Sequence, residues 1–161
     1  MTRIRGAWMD HPGTRAVFRA LENGGYQALF VGGCVRDALL DRPVGDIDIA
    51  TDARPEIVTE LAESSDIKVV PTGIAHGTVT LVAKGRGHEV TTFRRDVETD
   101  GRHAVVQFSD AVGEDAARRD FTINALYATA TGEVIDPLEG LPDLHARRVR
   151  FVGDPVARIT E

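Results

Sequence analysis

The chain has 161 residues, a formal net charge of −6 and an ordinary hydrophobic content of 42%, which suits one folded domain with a sizeable core and excludes a disordered chain. No apolar run approaches the ~20 residues that span a bilayer, and the N-terminal M-T-R-I-R-G-A-W has charge without an apolar stretch behind it, so no membrane partner and no signal peptide are expected. The single cysteine excludes an internal disulfide and fits a reducing, cytoplasmic compartment.

Residues 2–8 read as a loosely packed lead-in. From Pro12 to Asn23, Val17, Phe18, Ala20 and Leu21 recur at helical spacing, and Asn23-Gly24-Gly25 stops the helix. Residues 26–31 form a buried strand that ends at Gly32-Gly33, and residues 34–40 return to helical spacing. Residues 45–51 read as a second strand. Thr51 or Asp52 caps a helix that buries Ile57, Val58, Leu61 and Ala62. A short strand at 67–70 precedes a turn at Pro71-Thr72-Gly73. Residues 78–83 and 88–93 alternate around Lys84-Gly85-Arg86-Gly87 and form a hairpin. Residues 95–108 are polar with Gly101 at their middle and read as a long surface loop, in which Arg102 and His103 are solvated. Residues 113–117 lead helically into Arg118-Arg119-Asp120 and a mostly buried 121–128. A strand at 133–135, a helix at 143–148, a strand at 149–152 and the start of another helix complete the chain.

Two features within twenty residues carry chemistry. Strand, Gly32-Gly33 and helix point free backbone N–H groups at an anion, and a residue without Cβ lets a phosphate come close. Arg36 then reaches out as a positive fork, with Asp37 beside it to orient it. Downstream, Asp46 and Asp48 alternate with Ile47 and Ile49, so the two carboxylates share one face of a strand. Such a pair repels unless a cation lies between, and Mg²⁺ prefers carboxylate oxygens while keeping positions open for substrate phosphates. A nucleoside triphosphate with its metal would use both features. Further on, Arg119 and Asp120 are adjacent and point different ways on a helix, whereas Asn124 lies on the face of Asp120 and can hydrogen-bond it. Pattern alone leaves Glu89 open between a third carboxylate beside Asp46 and Asp48 and a solvent-facing strand residue, and it favours a structural role for His76. The net charge runs against a large RNA-binding face, although arginines gather at Arg94-Arg95, Arg118-Arg119 and Arg147-Arg148-Arg150.

G-G-C-V-R-D followed by G-D-I-D-I-A resembles the class II tRNA nucleotidyltransferase and bacterial poly(A) polymerase family, within the superfamily that includes DNA polymerase beta. R-R-D-F-T-I-N-A-L at 118–126 is similar to that family's ribose-binding motif. H-G-T-V at 76–79 and E-V-T-T-F-R at 89–94 extend the likeness from about Gly25 to the end of the chain. The resemblance implies an α/β nucleotidyltransferase head, with a mixed, largely antiparallel sheet backed by helices. It implies Asp46 and Asp48 as catalytic metal ligands for Mg²⁺, with Glu89 as a third carboxylate. Gly32, Gly33, Arg36, Arg119, Asp120 and Asn124 would bind nucleotide, either ATP or CTP. The implied activity is CCA addition to the tRNA 3′ end. Poly(A) addition shares the motifs and stays open, as does a head that binds nucleotide without turnover. A cysteine hydrolase built on Cys34 and His76 is the remaining rival.

The resemblance divides the chain into a lead-in and helix at 1–24, a catalytic head at 25–148 and the start of a neck at 149–161. Members of the family continue into an E-D-x-x-R motif that reads the base, and Glu161 would be its first letter. The expectation is therefore a head whose neck is cut short, with RNA docking resting mainly on later domains.

Overall fold

The computed structural model describes residues 2–99 and 103–153. Helix α1 (Pro12–Asn23) starts with proline, whose missing N–H costs nothing in a first turn, and the His11 Nδ1 accepts the Gly13 N–H at 3.0 Å as its cap. Strand β1 (Ala28–Val31) is buried on both faces and runs through Gly32 into helix α2 (Gly33–Leu39). Gly32 adopts φ 75°, ψ −131°, a conformation open to a residue without Cβ, and this turns the chain sharply from strand into helix. Strand β2 (Asp48–Thr51) follows, then helix α3 (Pro55–Ser64), strand β3 (Lys68–Gly73), strand β4 (Thr78–Ala83) and strand β5 (Arg86–Thr92). The β4–β5 turn has Lys84 at φ 51° and Gly85 at φ 80°, the paired positive angles of a two-residue hairpin loop. Strands β6 (Arg94–Thr99) and β7 (His103–Phe108) come next, then helix α4 (Val112–Ala117), strand β8 (Tyr127–Ala128), strand β9 (Val134–Ile135) and helix α5 (Gly140–His145).

Among the described residues, seven strands form one sheet in the order β3-β4-β5-β2-β1-β8-β9, and β6 with β7 forms a separate ribbon. In the seven-stranded sheet only β2 and β5 run parallel; the other neighbours are antiparallel. This is the mixed, largely antiparallel sheet backed by helices that the sequence implied. Alternation along the strands gives it two different faces. Ala28, Phe30, Ile49, Val79, Leu81 and Val90 pack with Val17, Phe18 and Leu21 of α1 and Val58 and Ala62 of α3. Leu29, Val31 and Ala50 look the other way, onto Phe93, Ala116, Ala125 and Tyr127.

Several sequence expectations change. The lead-in is packed rather than loose: Ile4 is buried, its N–H donates to Gly132 O at 2.8 Å, and Arg3 bridges Glu133 beside β9. The stretch read as a surface loop at 95–108 is the β6–β7 ribbon, paired in register from Arg94↔Phe108 to Thr99↔His103. The expected turn at 71–73 belongs to β3, whose register shifts between Val70 and Gly73 and so absorbs the proline as a bulge. Helix α3 has Arg54 at its N-cap with no side-chain cap, while the Thr51 hydroxyl accepts instead from the Ala53 N–H. Residues 118–126 are not one helix: α4 ends at Ala117 and a 3₁₀ turn spans Thr122–Asn124. Helix α5 starts earlier than expected, because both Asp136 carboxylate oxygens receive backbone N–H groups of its first turn, from Gly140 and Leu141. The strand expected at 149–152 shrinks to one bridge, Phe121↔Phe151. The final expected helix, at 153–161, falls almost wholly outside the described residues. No helix among the described residues is long and apolar enough to cross a membrane.

Candidate active site

The strand carrying Asp48 is shorter than expected. It begins at Asp48 itself, so Asp46 stands on the exposed approach to β2 rather than inside it. The Ile47 carbonyl still accepts the Glu89 N–H at 3.1 Å, which extends the hold of β5 one residue beyond the strand. Parallel pairing sets Asp48 directly beside Glu89. These two carboxylates, 41 positions apart in sequence, therefore share a sheet face because the register of β2 against β5 sets them opposite one another.

Electrostatics mark this face. Burial pushes the Asp48 carboxyl up to about 6, and the negative charges of Glu89 and Asp46 push in the same direction, against the pull of Arg119. The buried Asp48 Oδ1 has no hydrogen-bond partner among the described residues. A buried carboxylate oxygen without a donor is costly, and a cation is what would satisfy it. Among the described residues no three acidic, histidine or cysteine side chains close around a common point. That donor set fits a magnesium-type ion, which takes one or two protein carboxylates and completes its shell with water and substrate phosphates. It does not fit an all-protein cage.

The glycine motif and the R-R-D-F-T-I-N motif meet each other. Gly32 donates its N–H to Leu126 O at 3.1 Å. The Arg36 Nη1 donates to Asn124 Oδ1 at 2.9 Å, across 88 positions of sequence, and its Nε donates to Asp37 Oδ1 at 3.2 Å. Asp37 thus orients the arginine. Asn124 passes the connection on, its Nδ2 donating to Asp120 Oδ1 at 3.2 Å. The sequence placed that last bond on a helix; the structure makes it through the 3₁₀ turn, with the Phe121 N–H also held by Asp120 Oδ1 at 2.7 Å. Gly33 is half-exposed, and a Cβ there would meet the Arg36 guanidinium at 3.4 Å. Arg119 and Asp120 diverge as expected: Arg119 turns inward to Asp115, while Asp120 stays exposed.

Asp115 and Tyr127 escaped the sequence reading. Asp115 is buried and accepts from Arg119 Nη2 at 3.0 Å and from the Tyr127 hydroxyl at 2.6 Å. The available signal was the four-residue spacing of D-A-A-R-R, which sets the carboxylate and the second arginine on one side of a turn. The Tyr127 role had no sequence signal, since a tyrosine in an apolar run reads as core.

Cys34 is buried, and burial raises its thiol to about 11. Its sulfur points to Val31 O and Asp48 O, whereas His76 is exposed in a 3₁₀ turn ahead of β4. A thiol held protonated and apart from a base is no nucleophile, which removes the hydrolase rival.

A family model described as the Poly A polymerase head domain matches residues 28–150. The chain belongs to this family. Among curated relatives, the CCA-adding enzyme of Anoxybacillus flavithermus is 46% identical over 148 residues, which cover 91% of this chain and 36% of that enzyme. The CCA-adding enzyme of Bacillus pumilus is 46% identical over 157 residues, covering 95% of this chain and 38% of that enzyme. The chain thus spans a little over a third of the length of these relatives. Among solved structures, the Bacillus stearothermophilus CCA-adding enzyme in complex with CTP superposes with a TM-score of 0.78 at 43% identity, over 89% of this chain and 34% of that one. A tRNA nucleotidyltransferase complexed with a primer tRNA and an incoming ATP analog gives 0.70 at 33% identity, over 90% and 41%. Every motif of the candidate site from Gly32 to Asn124 lies within the stretch matched by the Poly A polymerase head model.

Proposed function

We propose that this chain is the catalytic head of a metal-dependent nucleotidyltransferase that adds CMP and AMP to the 3′ end of tRNA. The observation that carries this reading is the Asp48–Glu89 pair, set side by side by parallel strands, with a buried carboxylate oxygen that lacks a donor and an arginine nearby. The relatives and structures named as CCA-adding enzymes favour CCA addition over poly(A) addition.

In this reading Asp46 and Asp48 hold Mg²⁺, which when bound supplies Lewis-acid activation of the attacking hydroxyl and neutralises charge on the departing pyrophosphate. The reaction joins the RNA 3′ oxygen to the α-phosphorus of CTP or ATP and breaks the α–β phosphoanhydride bond. Gly33, at the open start of α2, offers backbone to the phosphates, and Arg36 stands over it with its guanidinium fixed by Asp37 and Asn124. Arg119, whose charge draws the Asp48 pKa down, contacts the nucleotide, with Asp120 and Asn124 placing the ribose. Glu89 keeps the negative potential high beside Asp48. The chain acts in the cytoplasm, with ATP, CTP and the tRNA 3′ end as partners.

The test is Mg²⁺-dependent binding of CTP and ATP by titration calorimetry, on the unsubstituted chain and on Asp46→Asn and Asp48→Asn. Both nucleotides are expected to bind with similar affinity, and each substitution is expected to abolish binding. Asp48→Asn also relieves like-charge repulsion, so without metal it should melt about 3 °C higher than the unsubstituted chain. Undiminished binding in both variants would sink the proposal.

A further inference from the structure

Arg119 lies between two elements and is held by both. It follows α4, which supplies Asp115, and it reaches the start of β8, which supplies Tyr127. Tyr127 is itself fixed, being fully buried and paired with Val31 across β1 and β8. The contacts to the guanidinium come from one side. Asp115 Oδ2 accepts from Nη2 at 3.0 Å and from Nε at 3.3 Å. The Tyr127 hydroxyl accepts from Nε at 3.2 Å and donates to Asp115 Oδ2 at 2.6 Å, and the guanidinium carbon lies 5.5 Å from the tyrosine ring centre. The other Asp115 oxygen receives the Arg94 backbone N–H at 3.1 Å, which ties the carboxylate to the first residue of β6.

One consequence is geometric. Asp115 meets Arg119 through a single oxygen, and a guanidinium held by one oxygen can rock about it. A two-oxygen fork would prevent that, but Oδ1 is committed to Arg94. The hydroxyl supplies the missing second point. It also closes a ring of three hydrogen bonds, Tyr127 to Asp115, Arg119 to Asp115 and Arg119 to Tyr127. Meanwhile Nη1 makes no hydrogen bond among the described residues, and the arginine's charge is felt at Asp48. The Nε and Nη2 edge of the guanidinium is thus occupied by protein, which leaves the Nη1 side as the one available to a ligand.

We infer that Tyr127 is a positioning residue, whose hydroxyl locks the Arg119 guanidinium in the orientation that receives the nucleotide. This rests on the reading of Arg119 as a nucleotide contact. The rotamer freedom that a loose arginine would lose on binding is already lost in the free protein. Burial and the Asp115 carboxylate hold the tyrosine hydroxyl protonated, so it remains a donor throughout the working pH range. The Asp115–Arg119 ion pair alone would keep the arginine nearby but leave its open edge unaimed.

Tyr127→Phe removes the hydroxyl and keeps the ring. Titration calorimetry with Mg²⁺ and CTP or ATP would be run on the unsubstituted chain, Tyr127→Phe, Arg119→Lys and the double variant. Tyr127→Phe is expected to weaken both nucleotides about 5- to 10-fold, and to add less than about 2-fold in the Arg119→Lys background, because its effect passes through the arginine. Unchanged affinity in Tyr127→Phe, or an equal loss in both backgrounds, would overturn the inference. Nitrogen NMR of the nucleotide-free chain gives a reading independent of ligand. The Arg119 Nε–H should give a resolved, slowly exchanging signal whose exchange quickens in Tyr127→Phe, where only the 3.3 Å contact to Asp115 remains, and unchanged exchange there would equally overturn the inference. If the unsubstituted chain binds neither nucleotide, the proposed function falls, while the Nε–H signal still decides whether the hydroxyl holds the arginine.

Discussion

His88 and Glu89 are neighbours in β5 that face opposite sides of the sheet, and their chemistry is correspondingly opposed. Glu89 is exposed beside Asp48, whereas His88 is fully buried. The His88 Nδ1 lies 3.2 Å from the Leu81 carbonyl, which only accepts, so this nitrogen carries the proton and Nε2 accepts from the Thr14 hydroxyl at 2.7 Å. The ring is therefore neutral, and burial lowers its pKa, with the nearby Arg86 adding to the effect. A depressed histidine pKa means that below about 6.5 the unfolded chain takes up a proton that the fold refuses. Stability should thus be full above neutrality and should decline as the pH falls below about 6.5. Urea midpoints at several pH values would show this. His88→Gln should flatten that part of the profile, at a cost of about 1 kcal/mol at neutral pH for remaking two buried hydrogen bonds imperfectly.

At the scale of elements, close approaches of backbone decide what the sheet can carry. Helix α1 meets the end of β4 at Gly13, where a Cβ would stand 2.0 Å from the Ala83 carbonyl oxygen. That neighbour is backbone and cannot swing aside. Gly13→Ala should push α1 off the sheet and cost about 3 kcal/mol, measurable by urea denaturation, while leaving the far face with Asp48 and Glu89 in register. The elements themselves were largely legible in sequence. Helix α1, strand β1 and the β4–β5 hairpin follow from local periodicity and punctuation, because each buries one clear stripe or both faces. Misreadings occurred where polar composition hid a structure held from elsewhere. The β6–β7 ribbon has too few apolar positions to announce a strand, and the 118–126 stretch looks helical until one sees Thr122 bonded to the buried Asp143 carboxylate at 2.6 Å. The pairing of Arg36 with Asn124 was beyond reach for the same reason, since nothing local brings two residues 88 positions apart together.

For the molecule as a whole, charge sets what it can hold. The arginines that sequence clustering singled out are mostly spent within the chain: Arg95 on Glu114, Arg118 on Asp96, Arg119 on Asp115, and Arg148 and Arg150 on Asp143. With a net charge of −6 besides, little positive potential remains for a polyanion. This chain should bind Mg²⁺-nucleotide yet hold tRNA with a dissociation constant weaker than about 10⁻⁵ M at ~0.15 M salt, as a filter-binding titration would report. Tighter binding would show that the acidic partners yield their arginines to phosphate. The candidate residues were readable from type and spacing, but their arrangement depends on topology. Asp46 and Asp48 are close because they are close in sequence, whereas Glu89 joins them only through the parallel pairing of β2 with β5.

That pairing has a consequence for how the chain can change in length. Between Asp48 and Glu89 the backbone makes an excursion through α3, β3 and the tight hairpin. Residues added around α3 or β3 leave the far end of the excursion where it was. A single residue added within β5 ahead of Glu89 reverses the strand's sidedness, sending the carboxylate into the core and the imidazole of His88 into water. Two added residues restore the sidedness but slide the carboxylate one pleat, about 6.6 Å, along β2 and away from its partner. Length variation is thus absorbed in the connections that join these elements and forbidden in β5, whether the count is odd or even.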